Sequence, residues 1–351
     1  MTESEARTRK ERIDARLRSP VLDWIIVRND EVRDFSSLAR HAVEEYPTGT
    51  GPADYALFVD GKLLGIIEAK KVSLGAENVL EQAKRYARGV PDTVGEWRGY
   101  KVPFLYSTNG ESIFHLDVRR KENASCLLAD FHSPQALLEK YRKDTESAER
   151  WFVQRPVAEI ERLRPYQIAA VEAIESALRS GKKSMLIAMA TGTGKTFTLV
   201  SSIYRLLKSG YARRILFLVD RRALAAQTVS ALAAFQTPEG LKLDRNYEVY
   251  SQRFTRDELE DGHSFDSKAL PEEYLTNPGE THTFVYVSTI QRMAINLLGK
   301  DAAGGFEYDV DANKLDIPIN VFDVIIADDA TAATPPKKPA AGNTSSTTST
   351  P

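Results

Sequence analysis

The chain has 351 residues, 42% hydrophobic and 27% charged, with a formal net charge of −2, which allows two domains of ordinary size with their own cores. No run of eighteen apolar residues occurs, so no segment reads as a membrane span. A single cysteine, Cys126, excludes an internal disulfide and, with five scattered histidines, a structural zinc site.

The N-terminal stretch MTESEARTRKERIDARL is charged throughout and lacks the apolar core of a signal peptide, so a reducing cytoplasm is expected. Arg7 to Leu17 reads as an amphipathic helix, its arginines either solvated or touching nucleic acid. Strands are expected at Tyr55–Val59, Leu63–Lys70 and Phe104–Ser107, and a helix at Ala76–Arg88. A charged helix and connector covers Tyr141 to Arg162. From Arg164 the pattern becomes alternating helix and apolar strand, the mark of a parallel α/β sheet. Helices Tyr166–Arg179, Lys195–Lys208 and Arg221–Phe235 interleave with strands Ser184–Met189, Arg214–Val219, Thr283–Val287 and Val321–Ala327. Gln236 to Thr281 is charged and poorly patterned and reads as loop or insertion. Residues 330–351 are rich in Pro, Ala, Thr and Ser and are expected to be disordered.

The sharpest local signal is Ala190-Thr191-Gly192-Thr193-Gly194-Lys195-Thr196 between an apolar strand and a helix. Two glycines let the backbone curl so that amide N–H groups and the helix N-terminus face phosphate oxygens. Lys195 offers charge to the β- and γ-phosphates of ATP, and the Thr196 hydroxyl offers a Mg²⁺ ligand. Position 189, a glycine in the strict phosphate-loop form, is Met here, as in superfamily-two helicases, which this loop resembles. Gln167, in Arg164-Pro165-Tyr166-Gln167, matches the adenine-reading segment of that superfamily, and Asp328 its Mg²⁺-holding strand end. Asp329-Ala330-Thr331 departs from the Glu that should follow.

Upstream, Asp54 precedes Glu68-Ala69-Lys70, whose first and last residues share a strand face. Phosphodiester hydrolysis needs carboxylates to hold Mg²⁺ and a cation to position water. The hairpin geometry constrains this set. A regular two-residue turn at Asp60-Gly61 would put Asp54 opposite Ile67, facing away from Glu68. Asp54 opposes Glu68 only with a three-residue loop or a bulge within the hairpin, and one of these is predicted. Gln82 and Tyr86, four apart on a helix, share a face.

Asp54, Glu68-x-Lys70, Gln82-x-x-x-Tyr86 and the Thr108-Asn109-Gly110 segment, ahead of a helicase-like loop, resemble the R (HsdR) subunit of type I restriction endonucleases. The resemblance implies an α/β chain. A restriction-endonuclease-like α+β nuclease domain spans 1–145, a connector 146–163, and a RecA-like lobe, incomplete at its C-terminus, 164–329, before the tail 330–351. It implies that Asp54 and Glu68 bind Mg²⁺, that Lys70 orients water, and that Gln82 and Tyr86 contact or support DNA. It implies that Gln167, Thr191, Gly192, Thr193, Gly194, Lys195, Thr196 and Asp328 bind Mg²⁺ and ATP. Double-stranded DNA and separate methyltransferase and specificity subunits are the implied partners, with no membrane involvement. Without a second motor lobe, ATP turnover and translocation are not expected, and part of the second sheet is expected to lie uncovered. Two alternatives remain open: a non-catalytic remnant that binds DNA or docks to the other subunits, and a helicase-nuclease of a repair system.

Overall fold

The computed structural model describes residues 9–70, 80–91, 94–120, 123, 125–251, 268–279, 282–300, 312–318 and 320–328. The expected disorder of 330–351, the Asp329 departure and residues 76–79 of the expected helix lie outside them.

Seven strands form the first sheet in chain order: β1 (Ile25–Arg28), β2 (Arg40–Tyr46), β3 (Ala53–Val59), β4 (Lys62–Ala69), β5 (Phe104–Thr108), β6 (Ile113–Asp117) and β7 (Cys126–Leu128). The β1–β2 and β4–β5 pairs are parallel and the others antiparallel. Both faces are buried, which is why β3, β4 and β5 read as near-continuous apolar runs. One face carries Tyr55, Leu57, Ile67 and Tyr106, covered by Ile13 and by Leu17 of α1 (Asp14–Leu17). The other carries Ala56, Phe58, Ile66 and Leu105, covered by Leu80, Ala83 and Tyr86 of α2 (Leu80–Gly89). Helix α3 (Pro134–Arg142) adds Leu137 and Leu138 to the first face; Ser133 caps it by accepting from the Ala136 N–H at 3.3 Å.

Helix α4 (Thr145–Gln154) leads to α5 (Pro165–Arg179) and α6 (Lys195–Lys208). Beyond them β8 (Arg214–Val219), α7 (Arg222–Ala234), α8 (Leu243–Asn246), β9 (Glu248–Ser251), β10 (Lys268–Ala269), α9 (Glu272–Thr276), β11 (Phe284–Thr289), α10 (Ile290–Leu298) and β12 (Val324–Ala327) follow. The second sheet is all parallel, ordered β10-β9-β11-β8-β12. The chain is therefore α/β, a seven-stranded mixed sheet followed by a five-stranded parallel one. Ion pairs of Glu139 with Arg214 at 2.6 Å and of Lys143 with Asp323 at 2.7 Å link the halves.

Two readings of the second half are corrected. Ser184–Met189 forms no strand among the described residues, and Leu186 is 86% exposed. Its apolar composition fits a buried strand, but a strand forms only where a neighbour supplies the ladder. β12 likewise pairs only with β8 among the described residues, and Ile325 is 62% exposed. Gln236 to Thr281, read as loop, contains α8, β9, β10 and α9. These elements are two to five residues long, too short for a periodic pattern to show.

Candidate functional site

The β3–β4 hairpin turns on Asp60 and Gly61, both left-handed at φ 48° and 70°, with Val59 opposite Lys62. This is a two-residue turn, and it alone would separate the two carboxylates. The register then shifts: Phe58 faces Leu63, but Leu57 faces Gly65, so Leu64 is an extra residue in β4. Beyond this bulge Tyr55 opposes Ile67, and the same register sets Asp54 across from Glu68. The bulge predicted from the sequence is present, in addition to the short turn.

Asp54 Oδ2 accepts from the Ala69 N–H at 2.7 Å, which ties its carboxylate to β4 directly beside Glu68. Lys70 Nζ donates to Glu68 Oε1 at 2.9 Å. The Glu68 side chain is 2% exposed and that of Lys70 20%, so the pair sits in a shielded setting where charge interactions are stronger than on the surface. Asp54 and the Glu68–Lys70 pair therefore lie at the same end of the β3–β4 ladder.

On α2, Gln82 Nε2 donates to the Tyr86 hydroxyl at 2.8 Å. Tyr86 is held against the loop before β3 by a close backbone approach. Gly49 N–H donates to the Gly89 carbonyl at 2.8 Å, and a Cβ on Gly89 would lie 3.0 Å from Gly49 N. This brings Gly51 beside the Tyr86 ring. Sequence reasoning did not single out Gly49 and Gly89, since two isolated glycines carry no spacing signal.

It also missed Arg9, Glu44 and Glu45. Arg9 Nη1 lies 3.0 Å from Asp54 Oδ1 and also reaches Glu45, while Nη2 lies 3.8 Å from Glu44. Burial holds the Glu44 carboxyl above its usual range, reinforced by the nearby Asp14 charge.

In the second half, the loop before α6 has Gly192 and Gly194 left-handed at φ 78° and 81°. The Thr193 hydroxyl and N–H both donate to the Ala190 carbonyl, at 2.6 and 3.3 Å. Gln167 braces this loop. Its Nε2 donates to the Thr193 and Gly194 carbonyls at 3.0 and 3.3 Å, and its Oε1 accepts from the Arg164 N–H at 2.9 Å. The Gln167 amide, expected at an adenine, is thus turned onto the loop backbone. The left-handed φ of 81° at Gly194 favours glycine there, and a Cβ would lie 2.5 Å from Gln167 Nε2 and push that side chain aside. Thr191, Lys195 and Thr196 lie along the loop and the first turn of α6. Asp328 follows β12, its N–H donating to the Leu218 carbonyl at 2.9 Å. Its strand and the glycine loop are not joined by a shared ladder among the described residues.

Residues 36–141 match the family described as type I restriction enzyme EcoKI endonuclease subunit, second domain. Residues 160–334 match the family described as type III restriction enzyme, res subunit. These matches place the chain in the class of restriction-enzyme subunits that carry a helicase-like domain. It is 31% identical over 333 residues to the type I restriction enzyme EcoKI endonuclease subunit of Escherichia coli (strain K12), covering 82% of this chain. It is 32% identical over 214 residues to the EcoAI endonuclease subunit of Escherichia coli, covering 56% of this chain. The chain spans 25% of the length of each. A solved HsdR fragment from Vibrio vulnificus YJ016 aligns over 93% of this chain and 56% of that one, at 18% identity and a TM-score of 0.26. The chain belongs to the type I restriction endonuclease R (HsdR) subunit family. Among the described residues no helix is long and apolar enough to cross a membrane.

Proposed function

We propose that residues 1–145 form a Mg²⁺-dependent DNA nuclease domain and residues 164–329 the first ATP-binding lobe of a DNA-translocating motor, joined by the connector 146–163. The observation that carries this reading is the bulged register that sets Asp54 across from Glu68, with Lys70 paired to Glu68.

The donor set fits the metal. Among the described residues no group of three or more His, Cys, Asp or Glu forms a closed cation cage. Mg²⁺ needs none: it keeps several waters and binds through one or two carboxylates beside a phosphate. Asp54 and Glu68 would hold it, where it supplies charge for the scissile phosphate and a ligated water of lowered pKa. The Ala69 amide fixes the Asp54 carboxylate. Lys70, anchored on Glu68, positions the attacking water through its remaining protons. Gln82 and Tyr86, locked to each other, line the approach of the DNA backbone.

In the second half, Thr191 to Thr196 would cradle the phosphates of ATP, with Gln167 bracing the loop and Asp328 completing the Mg²⁺ site. The exposure of segment 184–190 and the pairing of β12 with β8 alone, both among the described residues, support a lobe that binds ATP weakly and does not turn it over by itself. Double-stranded DNA is the substrate, methyltransferase and specificity subunits are the partners, and the cytoplasm is the setting.

A supercoiled-plasmid nicking assay with Mg²⁺ tests the reading. The wild-type chain should nick, and Asp54→Ala and Lys70→Ala should each fall by about 10²-fold or more. Equal nicking by all three would refute it.

A further inference from the structure

Glu44 opposes Tyr55 and Tyr46 opposes Ala53, so the β2–β3 register sets Glu45 across from Asp54. Like charges directly opposite in an antiparallel ladder repel. Glu45 also holds a left-handed φ of 54°, rare for a side chain other than glycine and a form of local strain. Arg9, 45 residues upstream of Asp54, resolves the conflict. Its Nη1 donates to both Glu45 Oε1 and Asp54 Oδ1, and its guanidinium lies 5.2 Å from the centroid of the Tyr55 ring. The Arg9 and Asp54 side chains are 16% and 13% exposed, so the contact is largely shielded from solvent.

The consequence concerns the metal. Asp54 Oδ2 is held by the Ala69 N–H, and Oδ1 by Arg9. A divalent cation that takes Asp54 as a ligand meets a fixed positive charge on the oxygen it needs. We propose that Arg9 is a built-in counter-cation of the metal-free site, and that it competes with the divalent metal for Asp54. Metal loading is then coupled to release of the N-terminal helical turn from β2 and β3. This rests on the reading of Asp54 as a metal ligand given above.

Calorimetric titration of the whole chain with Mn²⁺, using wild type, Arg9→Met, Arg9→Lys and Asp54→Asn, tests it. Arg9→Met should tighten Mn²⁺ binding by about tenfold, a coupling of ordinary size. Arg9→Lys, which keeps the charge but loses the two-donor fork, should fall between. In chelator, Arg9→Met should melt below the wild type and gain more on adding Mn²⁺. Asp54→Asn should abolish binding. If Asp54→Asn abolishes binding while Arg9→Met and Arg9→Lys bind Mn²⁺ as the wild type does or more weakly, the competition is wrong and the metal site stands. If Asp54→Asn binds like the wild type, the metal site itself is wrong and the competition falls with it. Unchanged Mn²⁺ affinity with weakened duplex binding in Arg9→Met would make Arg9 a phosphate contact and overturn the proposal.

Discussion

Asp54 stands across the β3–β4 ladder from Glu68 because Leu64 is one residue too many in β4. The short turn at Asp60-Gly61 satisfies the hairpin, and the bulge then moves every later residue of β4 by one place. Both faces of the sheet are apolar there, so the shift is accommodated by cores on both sides. Deleting Leu64 should therefore leave a folded sheet in which Glu68 and Lys70 point to the opposite face. Circular dichroism should show retained secondary structure, and Mn²⁺ titration should show binding lost. Retained binding would mean the bulge does not set the site.

The second half is held by a buried ion pair. Arg205 Nη2 is 3.0 Å from Glu175 Oε2 and 2.7 Å from the Arg155 carbonyl, with its side chain 2% exposed. It joins α6, α5 and the end of α4, lying 5.0 Å from the Trp151 ring centroid. Removing one partner strands the other charge in the core. Glu175→Ala should cost about 3–5 kcal/mol, read as a drop in the melting temperature of this half. A cost below about 1 kcal/mol, the size of an exposed pair, would contradict this.

Acid should loosen the first sheet at a defined point. His132 is buried and its Nδ1 pairs with the Tyr106 hydroxyl at 2.7 Å; burial and then the Lys140 charge push its pKa down to about 3. His115, its ring centroid 5.0 Å away, is pushed well down by burial and then by His132. Both are neutral when folded and protonate near pH 6.5 when unfolded. The unfolded chain therefore binds more protons below that pH, and stability falls as pH drops from about 6.5. Urea unfolding at pH 7.5 and 5.5 should show a loss of about 1.4 kcal/mol per histidine over that whole interval. His132→Gln should flatten that slope, and an unchanged slope would count against the assignment.

Proteolysis should begin in the second half. Leu186 and Ile187 are 86% and 38% exposed in a segment without a strand partner among the described residues, whereas the β3 and β4 cores are buried. Brief thermolysin digestion should cut first near Leu186 and leave the first sheet intact. Equal resistance of the two halves would contradict this.

The hairpin and α2 were legible because their signals are local. The apolar runs of β3 and β4, the pairing rule that called for a longer loop or a bulge, and the four-residue spacing of Gln82 and Tyr86 lie within reach of a short window. Arg9 was not legible as part of the site, because its contact with Asp54 spans 45 residues and is created by tertiary packing. The segment 184–189 misled for a related reason. Apolar composition reports what a strand would bury, and whether it pairs depends on a neighbour elsewhere in the chain. β10 was invisible since both its residues are exposed, leaving no alternation to read.

In the proposed function Asp54 and Glu68 hold one ion beside the Lys70 ammonium. Anomalous diffraction from crystals grown with Mn²⁺ tests it directly. A single peak is expected within about 2.0–2.3 Å of an oxygen of each carboxylate, the range of hard-cation ligation, with Lys70 remaining on Glu68. A peak elsewhere, or none at a concentration that saturates binding in solution, would contradict it.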